Sequence, residues 1–509
     1  MNSKPITETW YTLRFLRWIG RMIWNRRMAW ALVCLISLVT VLWQWENWRS
    51  ARELKAVHQR VIERLGTDDP FAFMPPTVTD EQNYFANPLI ESWLHETKPG
   101  TLGTHYNPPP DVLVPKDFIL PEIVESDDGG PGKLDLKAWM AKRAAPVGED
   151  AVTVLSRELA DAQAVLPKLA EGLNKPYSII KPGQREATEV AGGNPWEAAI
   201  PNFQNLNRFQ RQLGLHLRSA AMVGDKEKTA MTAQIMLRFS EAPARGGVIG
   251  ILVPLALHDI TFDALHEALE HPAWTEESLS RLQVRLGQFD ELESYEKSFG
   301  GEITGMFAAL TYFRSHPEVV EQMNVYQPGW KGWGDRAFAF AMIRGPIGWH
   351  DANIAFYADC ILEQLGPAGK AAWLTAAARD EKVRLLSKEA NSWPNPRRIL
   401  GAIALPNLGI LSQAAAETLF HRRCLIIACA LEKHRLRHGD LPASLEVVKE
   451  DVKLFTLDDP ARPGHWPGFR LESGGYVLWS AGPDAKDAGG VKDKDWLWRI
   501  KRQLMRDSR

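Results

Sequence analysis

Few side chains in this sequence stand at spacings that support chemistry. His434 and His438 are four residues apart on one helical face, with Asp440 close by. That spacing can hold zinc. The same pair sits in the last turn of its helix, where a partly charged histidine favours the negative end of the dipole. His258, Asp259, His266 and His271 cluster along one helical stretch without a shared ligand face. Ser294, Tyr295, Glu296 and Lys297 fit S-x-x-K, but the S-D-N and K-T-G that complete that nucleophile set are absent. Gly366 and Gly369, before Lys370, have two residues between them where a phosphate loop has four. Glu302 lies in a helical run beside Met306, Phe307 and Leu310. It reads as a half-buried acid paired with an arginine such as Arg314, or as a functional carboxylate in a groove. No G-x-S-x-G, H-E-x-x-H or G-x-G-x-x-G occurs.

The elements that would position these residues are mostly α-helical. From Met28 to Trp45 the chain is apolar and uncharged. A helix of that length rises about 27 Å, enough to cross a bilayer core. Arg26 and Arg27 close one end, Glu46 and Arg49 the other, and Trp24, Trp30, Trp43, Trp45 and Trp48 flank both. No small-residue cleavage site follows, so the segment reads as an uncleaved transmembrane anchor. The basic segment 1–27 is expected to lie as an amphipathic helix on an anionic leaflet, or to extend the span. The adjacent arginine pair sets the N-terminus in the cytoplasm and the body in the periplasm of a bacterial inner membrane. The lipid bilayer is thus one expected partner.

Residues 46–65 continue as a charged helical stalk. Eleven of the 33 prolines fall in 66–133, a segment expected to be extended, with a short helix from Asp80 to about His95. Residues 134–395 read as a multi-helical soluble body. Its clearest unit is a helical hairpin over 205–240, with Leu206, Phe209, Leu213 and Leu217 on one stripe and a break at Gly224-Asp225. Residues 396–509 read as a small C-terminal α+β module. A helix from Leu411 to His438 stops at Gly439, and GFRLES and YVLWS form a β-hairpin at Gly474-Gly475. The four cysteines, Cys34, Cys360, Cys424 and Cys429, are too scattered for a disulfide framework. The net charge of -2 excludes bulk nucleic-acid binding.

The order helix, HGDLPASL, Asp459-Pro460 turn, hairpin and SAGPDAKDAGGVKDKDW resembles the C-terminal half of the major pseudopilins of type II secretion. The resemblance covers roughly 414–498. It implies a calcium site: Asp484, Asp493 and Asp495 fall on the ligating carboxylates, and the main-chain carbonyl of Ala481 on another ligand position. Calcium takes six to eight hard oxygens, which such a loop can supply. A solvated turn that closes the hairpin is the alternative. The loop has Ala485 where the pseudopilins tend to carry glycine, and Lys486, Lys492 and Lys494 dilute its negative field. The prepilin processing signal is missing, so assembly as a pilus subunit is not expected. Over most of its length the chain resembles bacterial single-pass envelope proteins with the same plan, a resemblance that implies an architecture and no activity.

The expectation for function is a membrane-tethered envelope protein that binds or scaffolds a protein partner. An envelope hydrolase acting on glycan or peptidoglycan through paired carboxylates is the alternative, and a divergent secretion-system component a third.

Overall fold

The computed structural model describes residues 14, 18, 20, 26–69, 71–73, 76–94, 113–115, 117–124, 131–143, 148–180, 203–241, 248–316, 344–366, 376–390, 395–405, 409–492 and 494–501. The amphipathic stretch before the span, the prolines at 108–110, Lys370 and Asp493 lie outside these residues, apart from Arg14, Trp18 and Gly20. The protein is mostly helical, with a small antiparallel sheet of three strands near the C-terminus. It forms two compact units. One comprises Met1–Ile62, Leu310–Asp359 and Ser387–Ala404; the other comprises Glu63–Ala309, Cys360–Leu386 and Leu405–Arg509.

The first helix, α1 (Arg26–Leu65), runs through the apolar segment without Gly or Pro to break it. It is the one described helix long and apolar enough to cross a membrane. Consecutive side chains around its circumference are exposed, among them Val33, Leu35, Ile36, Leu38, Val39, Val41 and Leu42. The Thr40 hydroxyl donates to the Ile36 carbonyl at 2.8 Å, which satisfies its polar atom within the helix. Beyond Glu46 the helix is packed within the first unit. Arg397 reaches Glu46 at 2.6 Å and Glu53 at 2.5 Å. A Cβ on Gly348 would stand 2.8 Å from the Asn47 Cα, so only glycine permits this approach.

The second unit holds the main core. After α1 the chain forms α2 (Pro88–Leu94), α3 (Leu136–Ala141), α4 (Ala151–Leu159) and α5 (Leu166–Ala170), and Ile90, Leu166 and Leu169 enter this core. The helix expected from Asp80 is broken here. Two short 3-10 turns, Asp80–Gln82 and Tyr84–Ala86, precede α2. The break is at Asn83, whose amide is turned to the Ile179 backbone, donating to its O and accepting from its N at 2.8 Å each. The segment 66–133 also supplies β1 (Ile123–Val124), paired with β2 (Lys133–Leu134).

The expected hairpin is present as α6 (Phe203–Met222) and α7 (Lys226–Ser240). Gly224 takes φ +76, and the Asp225 carboxylate caps α7 by accepting from the Lys228 amide at 3.1 Å. Next come α8 (Val248–Leu269), α9 (Glu276–Leu286), α10 (Glu291–Ser315) and α11 (Gly348–Leu365). Then follow α12 (Ala376–Ala390), α13 (Ile399–Ala404), α14 (Gly409–His438) and α15 (Lys449–Val452). Leu213, Leu217, Phe239, Phe262, Leu282, Phe420 and Ile427 meet in one buried cluster from α6, α7, α8, α9 and α14. Burying each of the larger of these stabilises the fold by roughly 1.5–3 kcal/mol before entropy is counted.

The sheet orders β3 (Gly468–Glu472), β4 (Gly475–Ser480) and β5 (Trp496–Lys501). Glu472 pairs with Gly475, so the hairpin turn is Ser473-Gly474, with Gly474 at φ +80. This moves the expected glycine turn by one residue and puts Gly475 in the strand. The third strand, WLWRIK, carries two basic residues and pairs along its whole length with β4. Tyr476, Leu478, Trp498 and Ile500 join the same cluster as the helices, so this face of the C-terminal sheet shares the main core. Cys360, Cys424 and Cys429 are buried free thiols, while Cys34 is exposed on the apolar helix.

Candidate functional site

A row of acids lies along α8, with Glu267 and Glu270 buried. Asp259, Asp263, Glu267 and Glu270 follow at steps of four, four and three, which places them on one helical face. Toward the C-terminal end each acid has a cation. Arg218 on α6 donates to Glu267 at 2.6 Å, with side-chain exposures of 1% and 6%. Lys133 on β2 reaches both Glu270 oxygens at 2.7 Å, and the Lys501 amide of β5 adds a third donor at 2.9 Å. The Leu134 amide donates to Glu267 at 3.3 Å. These two glutamates stitch α6, β2 and β5 onto α8.

Toward the N-terminal end, no ion pair to Asp259 or Asp263 is present among the described residues. Asp263 is half-buried, and its carboxylate stands near the backbone of Gly132. Burial pushes its pKa up to about 7; Asp259 and Glu267 push the same way, and Arg218 opposes them. Asp259 reaches solvent, yet its surroundings push it up to about 6 against a hydrogen bond from Thr418 on α14. Glu417, the neighbour of Thr418, is raised by burial and by the Asp259 charge. Asp259, Asp263 and Glu417, from two helices, thus hold their protons to higher pH than free carboxyls do, the direction that general acid chemistry uses. The sequence carried the signal for this row in the helical spacing of acids on an otherwise apolar helix.

The clustered histidines have structural partners. His266 Nε2 is 2.6 Å from the Arg499 carbonyl, its ring stands edge-on to Trp498 at 4.7 Å, and burial pushes its pKa down to about 3. His258 stacks on Phe262 at 5.3 Å and meets Phe289 edge-on at 4.8 Å. The rings of His434 and His438 lie 4.3 Å apart. Among the described residues, no group of three or more His, Cys, Asp or Glu side chains is placed to hold a metal ion. Lys297 of the S-x-x-K stretch pairs with Glu293 at 2.5 Å, and Tyr295 bonds Ser412 at 2.7 Å. Glu302 is half-buried, as expected, while Arg314 forms its ion pair with Asp351 at 2.9 Å.

In the C-terminal loop the acids hold the loop's own backbone. Asp484 accepts from the Lys486 amide at 3.0 Å. Asp495 accepts from the amides of Ala488, Gly490 and Val491 at 3.1, 2.7 and 2.9 Å. Ala481 is fully buried, and its amide donates to Asp459 at 3.2 Å. Asp487 accepts from the Trp479 indole, the Gly489 amide and the Arg462 guanidinium. Those donors, the Gly489 amide first, hold its carboxyl below the usual range. Ala485 adopts φ +56, the left-handed region. Behind the loop, Asp459 is fully buried and accepts from the Ala461 amide, the Arg462 guanidinium, the Ser480 hydroxyl and the Ala481 amide.

Compared with protein-family models, curated proteins and solved structures, the chain gives no match.

Proposed function

We propose that this protein is a membrane-tethered envelope protein whose helical body binds or scaffolds a protein partner. The observation that carries the reading is the bare apolar surface of α1 on consecutive positions around the helix. Water solvates such a surface poorly, and a bilayer core covers it at no cost. The proposal sets the N-terminus in the cytoplasm and the body in the periplasm of a bacterial inner membrane, on the strength of Arg26 and Arg27 beside the span. Protease added to intact spheroplasts tests the orientation: it should digest the body and leave the N-terminus. Crosslinking in membranes tests the scaffold role, and repeated recovery of no crosslinked partner would remove it. Calcium binding through Asp484, Asp493, Asp495 and the Ala481 carbonyl belongs to the same proposal and rests on the sequence pattern.

A second reading is favoured by the raised carboxyls at Asp259, Asp263 and Glu417. An envelope hydrolase acting on glycan or peptidoglycan needs one protonated and one ionised acid. Incubation of the full chain with purified sacculi tests it. Release of soluble fragments, lost in Asp263→Asn, supports hydrolysis; no release by the wild-type chain rejects it.

A further inference from the structure

The two outer strands of the C-terminal sheet are covered differently. The order β3-β4-β5 leaves one edge of β3 and one edge of β5 without a neighbouring strand. On β5 the outward groups belong to alternate residues, and α8 takes them. The Lys501 amide donates to Glu270 at 2.9 Å, and the Arg499 carbonyl meets His266 Nε2 at 2.6 Å. On β3 the turn has two residues, Ser473 and Gly474, so Glu472 and Gly475 form the hydrogen-bonded pair beside it. Alternation then gives Arg470 and Gly468 to β4 and turns the amides and carbonyls of Phe469 and Leu471 outward. Among the described residues, no backbone hydrogen bond from outside the sheet reaches either one.

The side chains mark the same edge. Phe469 and Leu471 lie on the face that Tyr476 and Leu478 turn to the core. Phe469 packs against that core, while Leu471 is 42% exposed at its rim. An open edge beside an exposed leucine is a template for a further strand, and charge usually blunts it. Here the charges are Arg470 and Glu472, opposite in sign and together on the other face of the strand. An antiparallel copy of β3 centred on Leu471 sets each Arg470 opposite the Glu472 of the other copy. Leu471 then meets Leu471 at a two-fold axis, where the outward amide and carbonyl of each bond those of the other. The contact needs no unengaged side chain. Arg470 already donates to Glu472 of its own strand at 3.2 Å and to the Gly489 carbonyl at 3.1 Å. The backbone makes the bonds, and the charges choose partner and register. A strand with one sign at both positions meets a like charge at one of them.

We propose that a second copy of this chain docks on β3, the two strands antiparallel with Leu471 on the two-fold axis, so that one sheet runs across both chains. The surface is separate from the membrane tether and from the acid row on α8, and its test bears on neither. That test uses the concentrated full chain in detergent, with Cys34→Ser to remove the exposed thiol. Hydrogen-bonded antiparallel neighbours have Cα atoms about 5.5 Å apart, within reach of a disulfide. Leu471→Cys should therefore give a covalent dimer on mild oxidation. Adding either Arg470→Glu or Glu472→Arg sets like charges opposite each other, and each should lower the yield several-fold. Mixing those two variants should restore the dimer, because every charge again faces its opposite. Restoration also shows that neither variant has lost its fold. An absence of dimer from Leu471→Cys, the outcome if β3 takes a strand of another protein or none, overturns the proposal. So does a yield indifferent to both charge variants, or a mixture no better than either variant alone.

Discussion

Arg218 Nε lies 2.6 Å from Glu267 Oε2, with both side chains withdrawn from solvent between α6 and α8. Desolvating two charges costs several kcal/mol each, so the pair holds only while both members are present. Arg218→Met should therefore destabilise the fold by about 3–5 kcal/mol, because it strands a buried carboxylate. The double variant with Glu267→Leu should recover most of that loss. Denaturant unfolding of the four proteins checks it, and additive losses would show that the pair is not coupled.

Asp459 ties the turn at 459–462 to the end of β4, through donors from Ala461, Arg462, Ser480 and Ala481. Asp459→Ala leaves buried donors without an acceptor, at about 1–3 kcal/mol for each one that finds no water. Hydrogen exchange at the Ala481 and Ala461 amides should accelerate more than exchange in α6. Uniform acceleration would mean that Asp459 is not a local tie.

The pH dependence has a definite sign at Asp263. Its pKa rises from about 3.8 in the unfolded chain to about 7 in the folded one. Between those values the folded state holds the proton and the unfolded state does not. The group's contribution is thus present at low pH and lost as pH rises toward 7. Asp263→Asn should gain stability relative to the wild-type chain from pH 4 to pH 7, then level off. His216 acts with the opposite sign. It is buried with Nε2 2.6 Å from the Leu113 carbonyl, and burial pushes its pKa down to about 4. Its contribution is lost as pH falls from 6.5 toward 4, so His216→Gln should flatten the acid limb. Melting temperatures across pH 4 to 8 measure both effects.

Ala485 sits at φ +56, where an L side chain is strained by roughly 1–2 kcal/mol. Ala485→Gly relieves that strain and loosens the unfolded chain. A net gain of about 0.5 kcal/mol is expected, read as a rise in melting temperature. The same instrument tests calcium. If the loop takes the ion, calcium should raise the melting temperature, and Asp493→Ala should abolish the rise. No response to calcium would leave the loop closed by Asp487 and Asp495 alone.

Local chemistry made part of this structure legible. Gly224 and Asp225 announced the α6–α7 hairpin because a C-cap and an N-cap act on their own neighbours. The stop of α14 near Gly439, at φ +92, was visible for the same reason. Long-range partners were not legible. The acid row on α8 has a readable spacing, but its cations come from α6 and β2, far along the chain. Asp459 looked like an ordinary Asp-Pro turn, yet Ser480 and Ala481 use it as an acceptor. The strand β5 was hidden by its basic residues, although Trp498 and Ile500 turn to the core.

The tether is the central claim, and it rests on apolar side chains such as Leu38 and Val41, exposed at 55% and 63%. The direct measurement is alkaline carbonate extraction of membranes containing the full chain, beside a variant lacking residues 28–45. The full chain should remain in the membrane pellet and the shortened chain should move to the supernatant. A full chain released by carbonate would contradict the account.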